Sequence, residues 1–122
     1  MLSIAFCDDE PIMLEELFNV VKGYIDSKKV EFTADLFESG EEFVEKGVRC
    51  RKYDIVFLDC NLPDGTGFEL CKEVRSYSNI PIIMLTARDT EMDEIKALEL
   101  GVNDYLSKPF SLGVLKARMK RI

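Results

Sequence analysis

The chain has 122 residues, of which 47% are hydrophobic and 32% charged, and its net charge is -7. That length fits one domain and leaves no room for a second, the hydrophobic share allows a packed core, and the mixed charge excludes a disordered tail. So acidic a domain repels a phosphate backbone, which argues against direct nucleic-acid binding and suits a divalent cation or a basic partner surface.

Leu2 to Cys7 is a short apolar run of strand length. Pro11 follows, where it can serve as the first residue of a helix, and Leu14, Leu17, Phe18, Val21 and Ile25 then repeat at helical spacing. Val30 to Phe37 reads as a second strand. Ser39 with Glu42 three residues later forms a capping box, and Phe43, Val44 and Val48 supply the apolar stripe of a second helix. Asp54 to Leu58 is the third and most apolar strand, so it is expected at the centre, buried on both faces. The segment from Asn61 to Gly67 is dense in turn residues, and Leu70, Cys71 and Val74 mark a third helix. Ile80 to Leu85 is a fourth strand, with Pro81 at its start. A fourth helix is expected from about Thr90 to Leu100, ending at Gly101. Asp104 to Leu106 is a short fifth strand, and Leu112, Leu115, Met119 and Ile122 form the stripe of a fifth helix. Strands alternating with helices, around apolar central strands, imply an α/β fold with a parallel sheet covered on both faces.

The run from Met1 to Cys7 is too short for a signal peptide and lacks a basic start. No apolar stretch approaches the roughly 20 residues of a membrane span. Cys7, Cys50, Cys60 and Cys71 show no C-x-x-C spacing, so they read as small apolar fillers of a reduced, cytoplasmic protein. Histidine is absent, which removes the commonest general base and metal ligand and leaves carboxylates, hydroxyls and lysines for chemistry.

Ligands of open parallel sheets bind beyond the carboxyl ends of the strands. The polar residues of this chain fall there. The first strand runs into Asp8, Asp9 and Glu10, the third into Asp59, the fourth into Thr86, and the fifth is followed by Lys108 and Pro109. Each residue alone has a plainer reading: an acidic pair after a strand is often a solvated loop or helix cap, a lone aspartate a turn residue, a lone lysine a solvated charge. Together they define a site. Carboxylates brought close require a cation, and oxygen donors without His or Cys favour a hard ion such as magnesium. Magnesium held by one or two carboxylates also binds phosphate oxygens, a lysine adds positive charge, and a threonine hydroxyl adds a hydrogen bond. The set reads as a phosphoryl-transfer site with a carboxylate as nucleophile.

Along essentially its whole length the chain resembles the receiver domains of bacterial two-component response regulators. The matching segments are Cys7 to Glu10, Asp54 to Asp59, Leu62 to Gly65, Pro81 to Ala87, and Gly101 to Phe110. The resemblance implies a flavodoxin-like, doubly wound, five-stranded parallel sheet of strand order 2-1-3-4-5 with five helices, and one receiver domain over 1–122 whose effector domain is not in this chain. It assigns Asp59 as phosphoacceptor, Asp9 as a direct magnesium ligand, Asp8 as its neighbour acting through water, and Asn61 as donor of a backbone carbonyl to the metal. It assigns Thr86 as the hydroxyl that moves to the phosphoryl group, Lys108 as its ionic partner, Pro109 as a proline after a cis peptide bond, and Tyr105 as the aromatic switch.

The same resemblance implies a phosphorylation-dependent switch rather than an enzyme, although such a domain supports its own phosphorylation and dephosphorylation. The donor is a sensor histidine kinase. The second half resembles receivers attached to winged-helix DNA-binding domains, which makes transcriptional regulation the expected output, with a stand-alone receiver acting through protein contacts as the alternative. Homodimerisation is expected through the fourth helix, fifth strand and fifth helix. There Asp104 and Arg118 match one charge pair of the subfamily, while Glu94 and Val114 depart from another. Val114 lies away from the Leu112, Leu115 and Met119 stripe, so it is expected to be exposed. Arg88 and Asn61 flank the site and are expected to set the lifetime of the phosphorylated state. Three other readings fit less well. A receiver-like binding module that is never phosphorylated would not need Asp8, Asp9, Asp59, Thr86 and Lys108 together. A magnesium-dependent aspartyl-phosphate phosphatase typically carries a second aspartate two residues after the nucleophile, where this chain has Asn61. A flavodoxin-like nucleotide binder needs a glycine-rich phosphate loop after the first strand, and none follows here.

Overall fold

The computed structural model describes residues 2–48, 52–59, 61–62, 65–76, 78–86, 95, 98–107 and 112–120. Five strands form one sheet: β1 (Leu2–Cys7), β2 (Phe32–Phe37), β3 (Ile55–Asp59), β4 (Ile82–Thr86) and β5 (Asp104–Ser107). All neighbours are parallel and the order is β2-β1-β3-β4-β5, as the sequence led us to expect.

Period-2 alternation sorts the strand residues onto two faces. Ile4, Phe6, Ile55, Phe57, Ile83, Leu85 and Leu106 face one side, where they pack with Leu14, Leu17, Val21 and Ile25 of α1 (Pro11–Ser27) and with Leu115 of the last helix (Leu112–Lys120). Ala5, Cys7, Val56, Leu58, Ile82, Met84 and Tyr105 face the other, against Phe43 and Val44 and against Phe68, Leu70, Cys71 and Val74 of α3 (Gly67–Arg75). Because both faces are covered, β1, β3 and β4 read as near-continuous apolar runs, broken only by Ser3 and by the terminal Asp59 and Thr86. Phe6 and Phe57 stack across neighbouring strands with centroids 5.2 Å apart and planes 8° off parallel, which fixes the centre of one face.

α1 begins at Pro11, whose missing amide hydrogen costs nothing in a first turn. It ends through Lys28 and Lys29, the latter in the left-handed region at φ 56° with its amide donating to Asp26 O at 3.0 Å. The cap at Ser39 is real: Ser39 Oγ accepts from the Glu42 amide at 3.1 Å and starts α2 (Gly40–Glu42). α2 runs directly into a π-helical turn over Phe43–Val48, of which the periodicity gave no sign. The turn-rich segment after β3 holds a small antiparallel ladder, Asn61–Leu62 against Gly65–Thr66. The expected fourth helix lies mostly outside the described residues, though Ile95, Leu98 and Glu99 have helical backbone; the other four expected helices are found among the described residues. Cys7 and Cys71 are buried thiols, in keeping with apolar filling, and Val114 is exposed as expected. Cys50 and Cys60 fall outside the described residues.

Candidate functional site

Strand register decides which residues meet. Cys7 is level with Leu58, and Asp59 with Leu85. Asp8, one residue past β1, therefore stands beside Asp59 at the end of β3, and its amide extends the ladder by donating to Phe37 O at 3.0 Å. Thr86 ends β4 one step further along, level with Ser107. Three strand ends and the segment leading to residue 108 thus share one edge of the sheet.

At that edge Asp8, Asp9 and Asp59 each offer a carboxylate oxygen, all within 4.8 Å of one another. Asp8 and Asp59 are buried, at 3% and 4% exposure, and Asp9 is exposed. Asp8 is oriented locally: its Oδ1 accepts from the Glu10 amide at 3.0 Å, a turn in which the side chain mimics backbone. At an effective dielectric of about 20, two unit charges at this spacing repel by roughly 3–4 kcal/mol. Pairs so close, with two members desolvated, call for a positive counterpart. Three hard oxygen donors without nitrogen or sulfur fit magnesium or calcium, and the open side offered by exposed Asp9 fits an ion that keeps waters or takes phosphate oxygens.

Of the remaining expected site residues, Tyr105 is buried, level with Met84 and packed in the cluster that holds Phe68 and Cys71. Thr86 and Asn61 are described by backbone only: Thr86 at the site's edge, Asn61 paired with Thr66 just past Asp59. Lys108 and Pro109 lie outside the described residues, as do Arg88, Glu94 and the side chain of Arg118.

The sequence reading missed a clamp at the end of the sheet opposite the site. The Arg75 guanidinium, at the end of α3, donates to Gly101 O at 2.9 Å, to Ser78 O at 3.3 Å and to Asn103 Oδ1 at 3.1 Å. It ties α3 to the segment entering β5. The available signal was an arginine in the last turn of a helix, which can satisfy carbonyls nearby, but its partners are remote in sequence.

The comparisons with known proteins agree with this geometry. The profile of the response regulator receiver domain matches residues 4–120. The chain is 38% identical over 120 residues to the KDP operon transcriptional regulatory protein KdpE of Escherichia coli (strain K12), covering 98% of this chain and 50% of that protein. It is 36% identical over 126 residues to the sensory transduction protein RegX3 of Mycolicibacterium smegmatis, covering 100% of this chain and 50% of that one. Among solved structures, the response regulator DrrB, a Thermotoga maritima OmpR/PhoB homologue, superposes with a TM-score of 0.82 at 29% identity, covering 99% of this chain and 52% of that chain. The protein belongs to the response regulator receiver domain family. It is a signalling domain of a regulator, outside the classical enzyme families; its family uses magnesium at an acidic pocket, and this chain has an acidic cluster in Asp8, Asp9 and Asp59. The chain spans about half the length of the curated relatives it matches. Among the described residues, no helix is long and apolar enough to cross a membrane.

Proposed function

We propose that Asp59 accepts a phosphoryl group from the phosphohistidine of a sensor histidine kinase and that the resulting aspartyl phosphate is the chain's signalling state. The observation that carries this reading is the position of Asp59: buried, at the end of the central strand, within 4.8 Å of two further carboxylate oxygens. In the transfer, a carboxylate oxygen of Asp59 forms the new bond to phosphorus while the bond from phosphorus to the imidazole nitrogen breaks. A magnesium ion held by Asp8, Asp9, Asp59 and the backbone carbonyl of Asn61 would neutralise charge on the phosphoryl oxygens. Lys108 would pair with the product, Thr86 would hydrogen-bond to it, and Tyr105 would follow Thr86 inward. Pro109 matches the family's proline that follows a cis peptide bond. Loss of the acyl phosphate to water, at a rate tuned by Asn61 and Arg88, would reset the switch.

Phosphorylation adds nearly two negative charges. Shifting a two-state domain from 1:99 to 99:1 takes about 5.5 kcal/mol, which one ionic contact and one hydroxyl bond in a partly buried site can supply. The receiver unit over 1–122 would pass the change to a DNA-binding effector domain, in the cytoplasm, to regulate transcription. The names of KdpE and RegX3 and the OmpR/PhoB relationship of DrrB support that output. A homodimer through the 90–100 segment, β5 and the last helix would lack one charge pair, because apolar Val114 is 41% exposed where the subfamily places an acid.

The test is to incubate the protein with a small acyl-phosphate donor and magnesium and to measure intact mass. One phosphoryl adduct is expected, absent in Asp59→Asn and absent when magnesium is chelated. An adduct that survives Asp59→Asn would place the acceptor elsewhere.

A further inference from the structure

At the end of the sheet opposite Asp59, a cavity of about 380 Å³ opens where α1 finishes, against the last helix and the first residues of β1 and β3. Leu2, Ile25, Val30, Ile55, Pro81 and Met119 give it an apolar lining. Val30 is 45% exposed, so apolar surface reaches water here. Lys28 also lines the cavity, and its Nζ lies 5.7 Å from the centroid of the Tyr24 ring. From the other helix, Lys116 Nζ lies 5.8 Å from the same centroid. Lys116 precedes Met119 by one turn, so the two share a helix face. Two ammonium groups, one just past the end of α1 and one from the last helix, thus lie near the Tyr24 ring, which lines the cavity.

Neither ammonium has a carboxylate partner among the described residues. The nearby acid of α1, Asp26, is held by Lys22 at 2.9 Å. Asp54, the one acid among the described lining residues, accepts from the Ser3 amide at 2.7 Å.

We propose that this cavity binds a small amphipathic carboxylate, with its hydrocarbon chain among Leu2, Val30 and Met119 and its head between Lys28 and Lys116. An apolar pocket with a few convergent polar groups is the usual form of a small-molecule site, and this volume sits near the lower end of the roughly 300–1,000 Å³ such sites span. It takes one short alkyl chain, not a helix. The ring attracts each cation but does not neutralise it; an anionic head beside them is preferred over a neutral or cationic one. A cavity of about 380 Å³ holds a single short chain, which favours a free molecule over a lipid surface. Such a ligand touches α1 through Tyr24 and Lys28 and the last helix through Lys116 and Met119, and so fastens one to the other.

Decanoate is the probe, with decanol and decyltrimethylammonium as neutral and cationic molecules of equal chain length. Binding is followed through the Met119 methyl and Tyr24 ring resonances and the melting temperature. Saturable binding of decanoate is expected, with shifts centred on Met119, Tyr24 and Val30, and at least tenfold weaker binding of both controls. The double variant Lys28→Glu/Lys116→Glu should lose at least tenfold in decanoate affinity, and Lys28→Gln/Lys116→Gln serves the same purpose if charge reversal lowers the unliganded melting temperature. Met119→Trp, which fills the cavity, should abolish binding. Equal binding of decanoate and decanol, indifference to the lysine variants, shifts mapped elsewhere, or capture by phosphatidylglycerol vesicles without binding of free decanoate would each overturn the proposal.

Discussion

Arg75 and Asn103 meet through a 3.1 Å hydrogen bond, and the Asn103 oxygen that accepts it also accepts the Ile82 amide at 2.9 Å. Asn103 in turn gives its own amide to Ile82 O at 2.8 Å, so one residue stitches α3, the start of β4 and the entry to β5. Asn103→Ala should cost about 1–3 kcal/mol, because it leaves the part-buried Ile82 amide without its partner. Arg75→Lys retains the charge but not the planar fork, and should cost about 1 kcal/mol. Urea denaturation reads both, and an Asn103→Ala variant as stable as the wild type would show that the stitch carries no weight.

The carboxylate cluster sets a second expectation. With magnesium absent, replacing Asp59 by Asn removes one of three mutually repelling charges. It should raise folding stability by about 1–3 kcal/mol, less than a full pairwise term because exposed Asp9 is screened by water. The same variant should lose most of the magnesium-dependent rise in melting temperature, since a ligand stabilises only what it binds. Thermal unfolding with and without magnesium, on both proteins, checks each half.

Gly47 sits inside the π-helical turn where a Cβ would come within 2.8 Å of Phe37 Cζ and 3.2 Å of Phe43 Cδ1. Both rings are buried and pack at a centroid distance of 5.6 Å. Neither can swing away freely, so Gly47→Ala should destabilise the domain by about 1–3 kcal/mol through overpacking. Chemical denaturation of the purified variant measures this directly.

A gain is expected at Lys29. Its φ of 56° is a left-handed conformation that costs a residue with a Cβ about 1–2 kcal/mol. Lys29→Gly relieves that strain at the end of α1 and should stabilise the fold by about 0.5–1 kcal/mol after the added chain entropy of glycine. The readout is the midpoint of urea unfolding at unchanged slope.

Burial pushes the Cys71 thiol above its ordinary value of 9.0, and the nearby Arg75 charge offsets only part of that. The thiol should resist alkylation in the folded protein at neutral pH. Linkage gives the sign for stability: above about pH 9 the unfolded thiol ionises first, so the folded state loses ground as pH climbs toward the raised folded value. Cys71→Ala should show a shallower decline over that alkaline window than the wild type.

Much of this architecture is written in hydrophobic pattern. β1, β3 and β4 are apolar runs because both their faces are covered, and Leu14, Leu17, Val21 and Ile25 repeat because one face of α1 is. The site was equally legible in part: Asp8, Asp9 and Asp59 follow apolar strands, and parallel register turns that sequence fact into proximity. Boundaries were less so. β2 begins at Phe32 rather than Val30, since Lys29 and Val30 are spent on terminating α1. Phe43 and Val44 are buried in the π-turn of Phe43–Val48, as they would be in an ordinary helix, so composition does not distinguish the two. The Arg75 clamp and the Tyr24 cavity arise from residues far apart in the chain, and no local pattern encodes them.

The place of β1 in the sheet has a consequence for how the chain emerges from a ribosome. β1 is made first yet lies between β2 and β3, so half of its backbone ladder waits for residues near 55–58 to be synthesised. Until then Ile4 and Phe6, fully buried in the finished domain, flank an open strand edge of the kind that recruits other chains. Nascent chains halted between β2 and β3 should therefore be the species that chaperones hold and that aggregate when released, while chains extended past β3 close that edge with their own sequence.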